Sequence, residues 1–143
     1  EMCIRDSICI VTNQSPIGRG IWSSSNLHSI HERMRELLLK ENSNAHLDLI
    51  LYSPYAPWDG SWARKPNPGM LEAGRQIIDS SENNSRVDLQ FDTEWKDRPD
   101  ESSSVMVGDR TVDMEAAMNF GVRGLRCDPD IGLSQVISMI LGD

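Results

Sequence analysis

The 143-residue sequence is poor in several things, and each shortage excludes something. No apolar run approaches the ~18–20 residues that a bilayer-crossing helix needs, so no transmembrane helix is expected. There are three cysteines, Cys3, Cys9 and Cys127, an odd count with no C-x-x-C spacing. A disulfide framework and a structural zinc site are therefore not expected, and reduced thiols in a cytoplasmic protein are the plain reading. Basic residues are scarce: 14 Lys and Arg stand against 22 Asp and Glu, a net charge of −8. A nucleic-acid partner would call for a basic patch, and none is expected. A phosphate ligand stays open, because a small site needs only a few local cations. No basic-then-apolar leader is visible, so no export signal is expected.

What is present suits one domain. Residues 8–11 form an apolar run, the pattern of a parallel strand buried on both faces. Thr12-Asn13-Gln14-Ser15-Pro16 then breaks it and is expected to be a loop at the strand's carboxyl end. Residues 24–41 read as a helix with Leu27, Ile30, Met34, Leu37 and Leu38 inward, capped by Ser25 or Asn26. Residues 47–52 read as the next strand. A loop with three prolines and two tryptophans follows. Asn67 caps a further helix, Pro68 takes its first position, and Met70, Leu71, Ile77 and Ile78 face inward. Residues 104–107 are another buried-type strand. The helix after it carries Met114, Ala117, Met118 and Phe120 inward and stops at Gly121. Residues 122–127 are a short strand. An amphipathic helix closes the chain, with Leu133, Val136, Ile137, Ile140 and Leu141 on one face. Strands alternating with helices define an α/β class, a doubly wound and mostly parallel sheet. Residues 1–7 read as an irregular or non-native start, and residues 8–143 as a single domain.

Residues 81–103 stand apart, with seven acids and three bases, a net −4. Val87, Leu89 and Phe91 alternate and allow a short strand; a solvated acidic insertion is the plainer reading.

In open α/β sheets, ligands bind beyond the strands' carboxyl ends. Three polar clusters fall there. Thr12, Asn13, Gln14 and Ser15 offer hydroxyl, amide and backbone donors for a phosphate, or form an ordinary turn. Arg64 and Lys65 are two cations pinned before Pro66; such a lysine neutralises a phosphate as a compact charge, or is a surface lysine. In Gly108-Asp109-Arg110-Thr111-Val112-Asp113, two carboxylates lie one helical turn apart. They repel unless a cation sits between or beside them. Mg²⁺ suits that place, because it takes one or two carboxylates plus substrate phosphate. Alternatively, Asp109 caps the helix and Asp113 favours its positive end.

In this order, Thr12-Asn13-Gln14-Ser15-Pro16-Ile17-Gly18-Arg19-Gly20, Arg64-Lys65-Pro66-Asn67-Pro68-Gly69-Met70-Leu71, Val107-Gly108-Asp109-Arg110 and Asp113 resemble the haloacid dehalogenase superfamily of phosphatases. The resemblance is to its heptose bisphosphate phosphatase and histidinol-phosphatase branch, from about residue 8 to 127. It implies a haloacid dehalogenase-like Rossmannoid fold and Mg²⁺-dependent hydrolysis of a phosphorylated sugar, most specifically the 7-phosphate of D-glycero-D-manno-heptose 1,7-bisphosphate. Histidinol phosphate or another small phosphomonoester is the alternative. The implied roles are residue by residue. Thr12 to Ser15 contact phosphate and sugar, Arg64 and Arg110 position substrate, Lys65 holds the phosphoryl group, Asp109 ligates Mg²⁺ and Asp113 supports the metal.

Two departures from the family pattern stand out. The loop before Arg64 carries zinc ligands in many members, whereas the corresponding positions here are read as Ser53, Tyr55, Ala56 and Ala63; no zinc is expected, and prolines and tryptophans order the loop instead. The first family motif, Asp-x-Asp-Gly, carries the nucleophile and the general acid/base, and has no counterpart before Thr12. Asp128-Pro129-Asp130 lies near the wrong end and reads as a loop. The expectation is thus a fragment lacking the first strand and its motif, weakly folded and without turnover alone. A monomer is expected, and a non-catalytic phosphate- or partner-binding domain is the rival from another class.

Overall fold

The alternation of apolar runs and amphipathic stretches produces the expected α/β order. The computed structural model describes residues 6–141; residues 1–5 of the irregular start, with Cys3, lie outside them. Strand β1 (Cys9–Asn13) is followed by the short helix α1 (Ser15–Gly18), helix α2 (Ser24–Glu41) and strand β2 (Leu49–Ser53). A 3-10 turn (Pro57–Asp59) leads to α3 (Gly69–Glu82), and a second (Asp92–Glu94) lies before β3 (Val105–Gly108). Then come α4 (Thr111–Phe120), β4 (Arg123–Arg126), a 3-10 turn (Gly132–Val136) and α5 (Ile137–Leu141).

Every strand pairing among the described residues is parallel. β1 pairs with β2, Cys9 opposite Leu49 and Asn13 opposite Ser53. β3 pairs with β4, Val105 opposite Arg123 and Gly108 opposite Arg126. The sheet therefore stands in two two-stranded pieces, and no described strand joins β1 to β3. The two pieces share a core, because Val11 of β1, Leu71 of α3 and Val122 pack against buried Met106, Ala116 and Ala117. This brings the carboxyl ends of β1 and β3 to the same side.

Several local expectations need correcting. Thr12 and Asn13 belong to β1, not to a loop, and Ser15 and Pro16 already open α1. Helix α2 has its expected bounds, but Ser23 is the cap: its hydroxyl accepts from the Asn26 N–H at 3.2 Å. Of the expected inner face only Leu27 is buried; Ile30 and Leu37 are exposed. Asn67 does not cap α3, which starts at Gly69 after Pro68. Its buried residues are Gly69, Met70, Glu72 and Gly74, so an acid replaces the expected isoleucines. In α4, Met118 is exposed, while Ala116 and Ala117 are buried and Gly121 ends the helix as expected, at φ 91°. The closing helix breaks into a 3-10 turn and one short helix, with only Val136 buried. Its apolar stripe has little sheet to cover.

Residues 83–104 carry no strand, so the alternation of Val87, Leu89 and Phe91 yields no β-structure. An isolated arm without a partner strand does not hold one. Trp95 is the buried residue of this stretch, stacked on Phe120 with ring centroids 6.3 Å apart. No helix among the described residues is long and apolar enough to cross a membrane.

The two described cysteines, Cys9 and Cys127, are free thiols. Burial under α3, helped by the Asp48 charge, pushes the Cys9 thiol up to about 11. At pH 8 the thiolate is then a small fraction. Alkylation of Cys9 by iodoacetamide is expected to run on the order of a hundredfold slower than that of a free thiol, and to accelerate steadily above pH 8. Site-resolved mass spectrometry measures this; a rate near that of the free thiol would contradict it.

Candidate functional site

The site is built where β1 and β3 end. Asn13, the last residue of β1, clamps the main chain of Lys65 from a distant loop. Its side-chain N–H donates to the Lys65 carbonyl at 3.1 Å, and its carbonyl accepts from the Lys65 N–H at 3.1 Å. This two-bond match fixes Lys65 against the strand tip much as a strand partner would. Next to it, Gln14 donates from its side chain to Thr12 Oγ1 at 3.0 Å and from its backbone to the Ser53 carbonyl at 2.7 Å.

The Lys65 side chain then crosses to the other half of the sheet. Its ammonium donates to the Val11 carbonyl at 3.0 Å and to Asp113 Oδ1 at 2.7 Å. Both side chains of this ion pair are largely buried, 11% and 7% exposed. A lysine ammonium has three donors. Two are thus engaged, and the third makes no hydrogen bond among the described residues.

Asp113 comes from the first turn of α4. Its second oxygen accepts from the Arg110 N–H at 3.1 Å, which satisfies an otherwise orphaned helix-start donor. Gly108 makes room for it: a methyl group there would collide with the Asp113 side chain. Lys65 is thus the counter-charge of the Asp113 carboxylate, while Asp109 stands apart from this pair. Asp109 does not cap the helix, since Arg110 holds the cap position. It is exposed at the tip of β3, and its carboxylate makes no hydrogen bond or ion pair among the described residues.

Hydrogen bonds thus join Asn13, Lys65 and Asp113 in one network, and Thr12 to Gln14 beside it. Others stand at the rim. Ser15 accepts from Arg19 at 3.3 Å, and Arg64 turns to the Tyr55 carbonyl at 2.9 Å. Arg110 and Asp109 are exposed. No cluster of three or more His, Cys, Asp or Glu able to hold a metal occurs among the described residues.

The loop of residues 54–68 is ordered by local bonds. Asp59 accepts from the Ala56 N–H at 2.7 Å, and the Arg19 guanidinium lies 5.9 Å from the Trp58 ring centre. The Trp62 indole N–H donates to Glu72 at 2.9 Å. Glu72 escaped the sequence reading, because it sits among the apolar residues of α3. A signal was available. Glu72 and Arg75, three apart on α3, face Arg98 and Glu101, three apart with opposite charges.

Known proteins resemble this chain over most of its length. Residues 62–127 match the family model described as HAD-hydrolase-like. The D-glycero-beta-D-manno-heptose-1,7-bisphosphate 7-phosphatase of Pseudomonas aeruginosa is 36% identical, over 86% of this chain and 54% of that protein. The D-glycero-D-manno-heptose-1,7-bisphosphate 7-phosphatase of Thermosynechococcus vestitus is 32% identical, over 87% of this chain and 58% of that one. The histidine biosynthesis bifunctional protein of Spirosoma linguale is 29% identical, over 92% of this chain and 28% of that protein. Among solved structures, the D,D-heptose 1,7-bisphosphate phosphatase of B. bronchiseptica, complexed with magnesium and phosphate, aligns with a TM-score of 0.66. It is 26% identical, and the match covers 90% of this chain and 62% of that one. The chain spans little more than half the length of these heptose phosphatases. Its fold is α/β and HAD-like, and over residues 62–127 the chain is HAD-hydrolase-like.

Proposed function

We propose that this chain forms the phosphate-holding part of a cytoplasmic sugar-phosphate phosphatase. The observation that carries this is the Lys65 ammonium. It is fixed by Val11 and Asp113, its main chain is clamped by Asn13, and one donor remains for a phosphoryl oxygen. Catalysis of phosphoryl transfer is mostly positioning and charge stabilisation, so a preset cation of this kind is what the reaction asks of a protein.

In this reading Thr12, Asn13, Gln14 and Ser15 bind phosphate and sugar. Arg64 and Arg110 orient the rest of the substrate from the rim. Lys65 neutralises the transferred group, and Asp113 keeps the ammonium aimed. Mg²⁺ fits Asp109, whose free carboxylate at the β3 tip is the oxygen donor this ion takes in company with waters and a phosphate. Asp113, with one oxygen on Lys65 and one on the Arg110 N–H, suits a supporting place. When bound, the ion supplies charge compensation at the phosphate. The attacking aspartate, which would form a phospho-aspartate, is assigned to an Asp-x-Asp-Gly strand outside residues 8–143.

The substrate favoured by the relatives' names is D-glycero-beta-D-manno-heptose 1,7-bisphosphate, cleaved at the 7-phosphate. Histidinol phosphate is the second reading, favoured by the similarity to the bifunctional histidine-biosynthesis protein. The test compares two proteins on both substrates with Mg²⁺. The 143-residue chain is expected to show no turnover. The chain extended by an upstream Asp-x-Asp-Gly segment is expected to hydrolyse one of them, and to lose at least a hundredfold with Asp109→Asn. Hydrolysis by the short chain would place the nucleophile within it. Phosphate binding without turnover in both proteins would favour a non-catalytic binding domain.

A further inference from the structure

The Lys65 main chain is held by Asn13 on one side only, so something else must fix the loop that presents it. We infer that Glu72 is a positioning residue for Lys65, acting through the Trp62 indole; the functional weight of this rests on the reading of Lys65 as the phosphate-holding cation. Glu72 is fully buried, at 0% exposure, and its carboxylate accepts from three donors on two separate segments. One oxygen takes the Trp62 indole N–H at 2.9 Å. The other takes the Asp92 N–H at 2.7 Å and Arg98 Nη2 at 3.0 Å. A charged acceptor makes these bonds stronger than neutral ones.

The Trp62 end of this arrangement closes a loop whose apex is Lys65. The Trp62 carbonyl accepts from the Gly69 N–H at 3.1 Å, and any side chain at residue 69 would collide with that carbonyl. Inside the loop, the Asn67 side chain donates to the Ser61 carbonyl at 3.0 Å. From α4, the Asn119 side chain donates to the Pro66 carbonyl at 3.0 Å. Residues 61–69 are thus tied at their ends by Glu72 and Gly69, and Lys65 projects from the middle toward Asp113. Glu72 in turn is fixed from behind, since Arg98 lies over the Trp95 ring at 4.6 Å and also donates to the Trp95 and Asp92 carbonyls. The acidic stretch around residues 92–98 therefore acts as a brace for the phosphate loop.

Amide hydrogen exchange on the full chain tests this. Trp62→Phe removes the indole N–H together with part of the ring, and leaves Glu72 paired with Arg98. It is expected to speed exchange at the Lys65 N–H at least tenfold, while amides of β3 and β4 keep their rates. A merely structural role would raise exchange throughout, and that outcome, or an unchanged Lys65 rate, overturns the positioning role. Should Trp62→Phe not fold, the unsubstituted chain decides. The Trp62 indole N–H and the Lys65 amide are then expected to share one opening equilibrium, within about threefold. An indole that opens tenfold more often than Lys65 overturns the link. Titration with inorganic phosphate runs alongside: Trp62→Phe is expected to weaken binding severalfold. If the unsubstituted chain binds no phosphate, the reading of Lys65 fails, and exchange still decides whether Glu72 positions it.

Discussion

Arg98→Met is expected to cost about 3 kcal/mol of folding stability, the lower end of the range for stripping one partner from a buried ion pair. The reason lies in Glu72. Its carboxylate is fully buried, and only the Trp62 and Asp92 N–H groups would remain to it. Arg98 itself is 35% exposed and also gives up its bonds to the Trp95 and Asp92 carbonyls, but the larger cost is the charge left behind. Urea unfolding measures this as a lowered midpoint at unchanged slope. The double variant Glu72→Gln/Arg98→Met is expected to recover part of the loss: a neutral amide has no charge to strand, but its NH2 faces one of the two N–H groups the carboxylate accepted. If the double variant is no more stable than Arg98→Met alone, the buried charge is not the cause.

The effect is large because Arg98 is one half of a matched set. Arg75 donates to both oxygens of Glu101, each at 2.6 Å, while Glu72 accepts from Arg98. The helix offers acid then base, and the facing segment offers base then acid. A slip of the segment by three residues would set Glu72 against Glu101. The charge order therefore specifies one register for a stretch with little apolar surface to specify it. Its net charge of −4, legible in the sequence, hides the two charges that do this.

That contrast explains what could be read from the sequence. Residues 24–41 appear as a helix because their apolar spacing is local, and the observed bounds agree. The buried strand before Gly108, and the stop at Gly121, are likewise written in neighbouring residues. The cap at Ser23 was missed because Ser23, Ser24, Ser25 and Asn26 are all able acceptors, and only backbone geometry chooses among them. The outward turn of Ile30 and Leu37 was missed for another reason. An amphipathic pattern says which face is apolar, not whether a partner is there to cover it. At the site, the sequence order put Asn13, Lys65 and Asp113 at strand ends, but could not say that they touch. Their bonds join residues 48 to 52 positions apart. Spacing alone likewise does not show that Lys65 is a counter-charge of Asp113.

Lys65→Met is the substitution with the second large effect, and it separates two roles. Without the ammonium, Asp113 keeps only the Arg110 N–H, at 5% exposure, and the Val11 carbonyl loses its donor. A loss of about 3–5 kcal/mol is expected, read from the urea midpoint, since a nearly buried carboxylate is left uncompensated. Phosphate affinity, measured by calorimetry, is expected to fall roughly tenfold to a hundredfold, the worth of one charge-assisted hydrogen bond. Either change alone is ambiguous, because an unfolding protein also stops binding. The double variant Lys65→Met/Asp113→Asn resolves it. With no charge on residue 113, stability is expected to return to within about 1–2 kcal/mol of the starting chain, the range of an imperfectly paired neutral polar group. Phosphate affinity is expected to stay low, because the donor that faced the ligand is still missing. A double variant that is stable and binds phosphate as the parent does would make Lys65 a structural counter-charge for Asp113 alone, and would move the phosphate site away from the junction of β1 and β3.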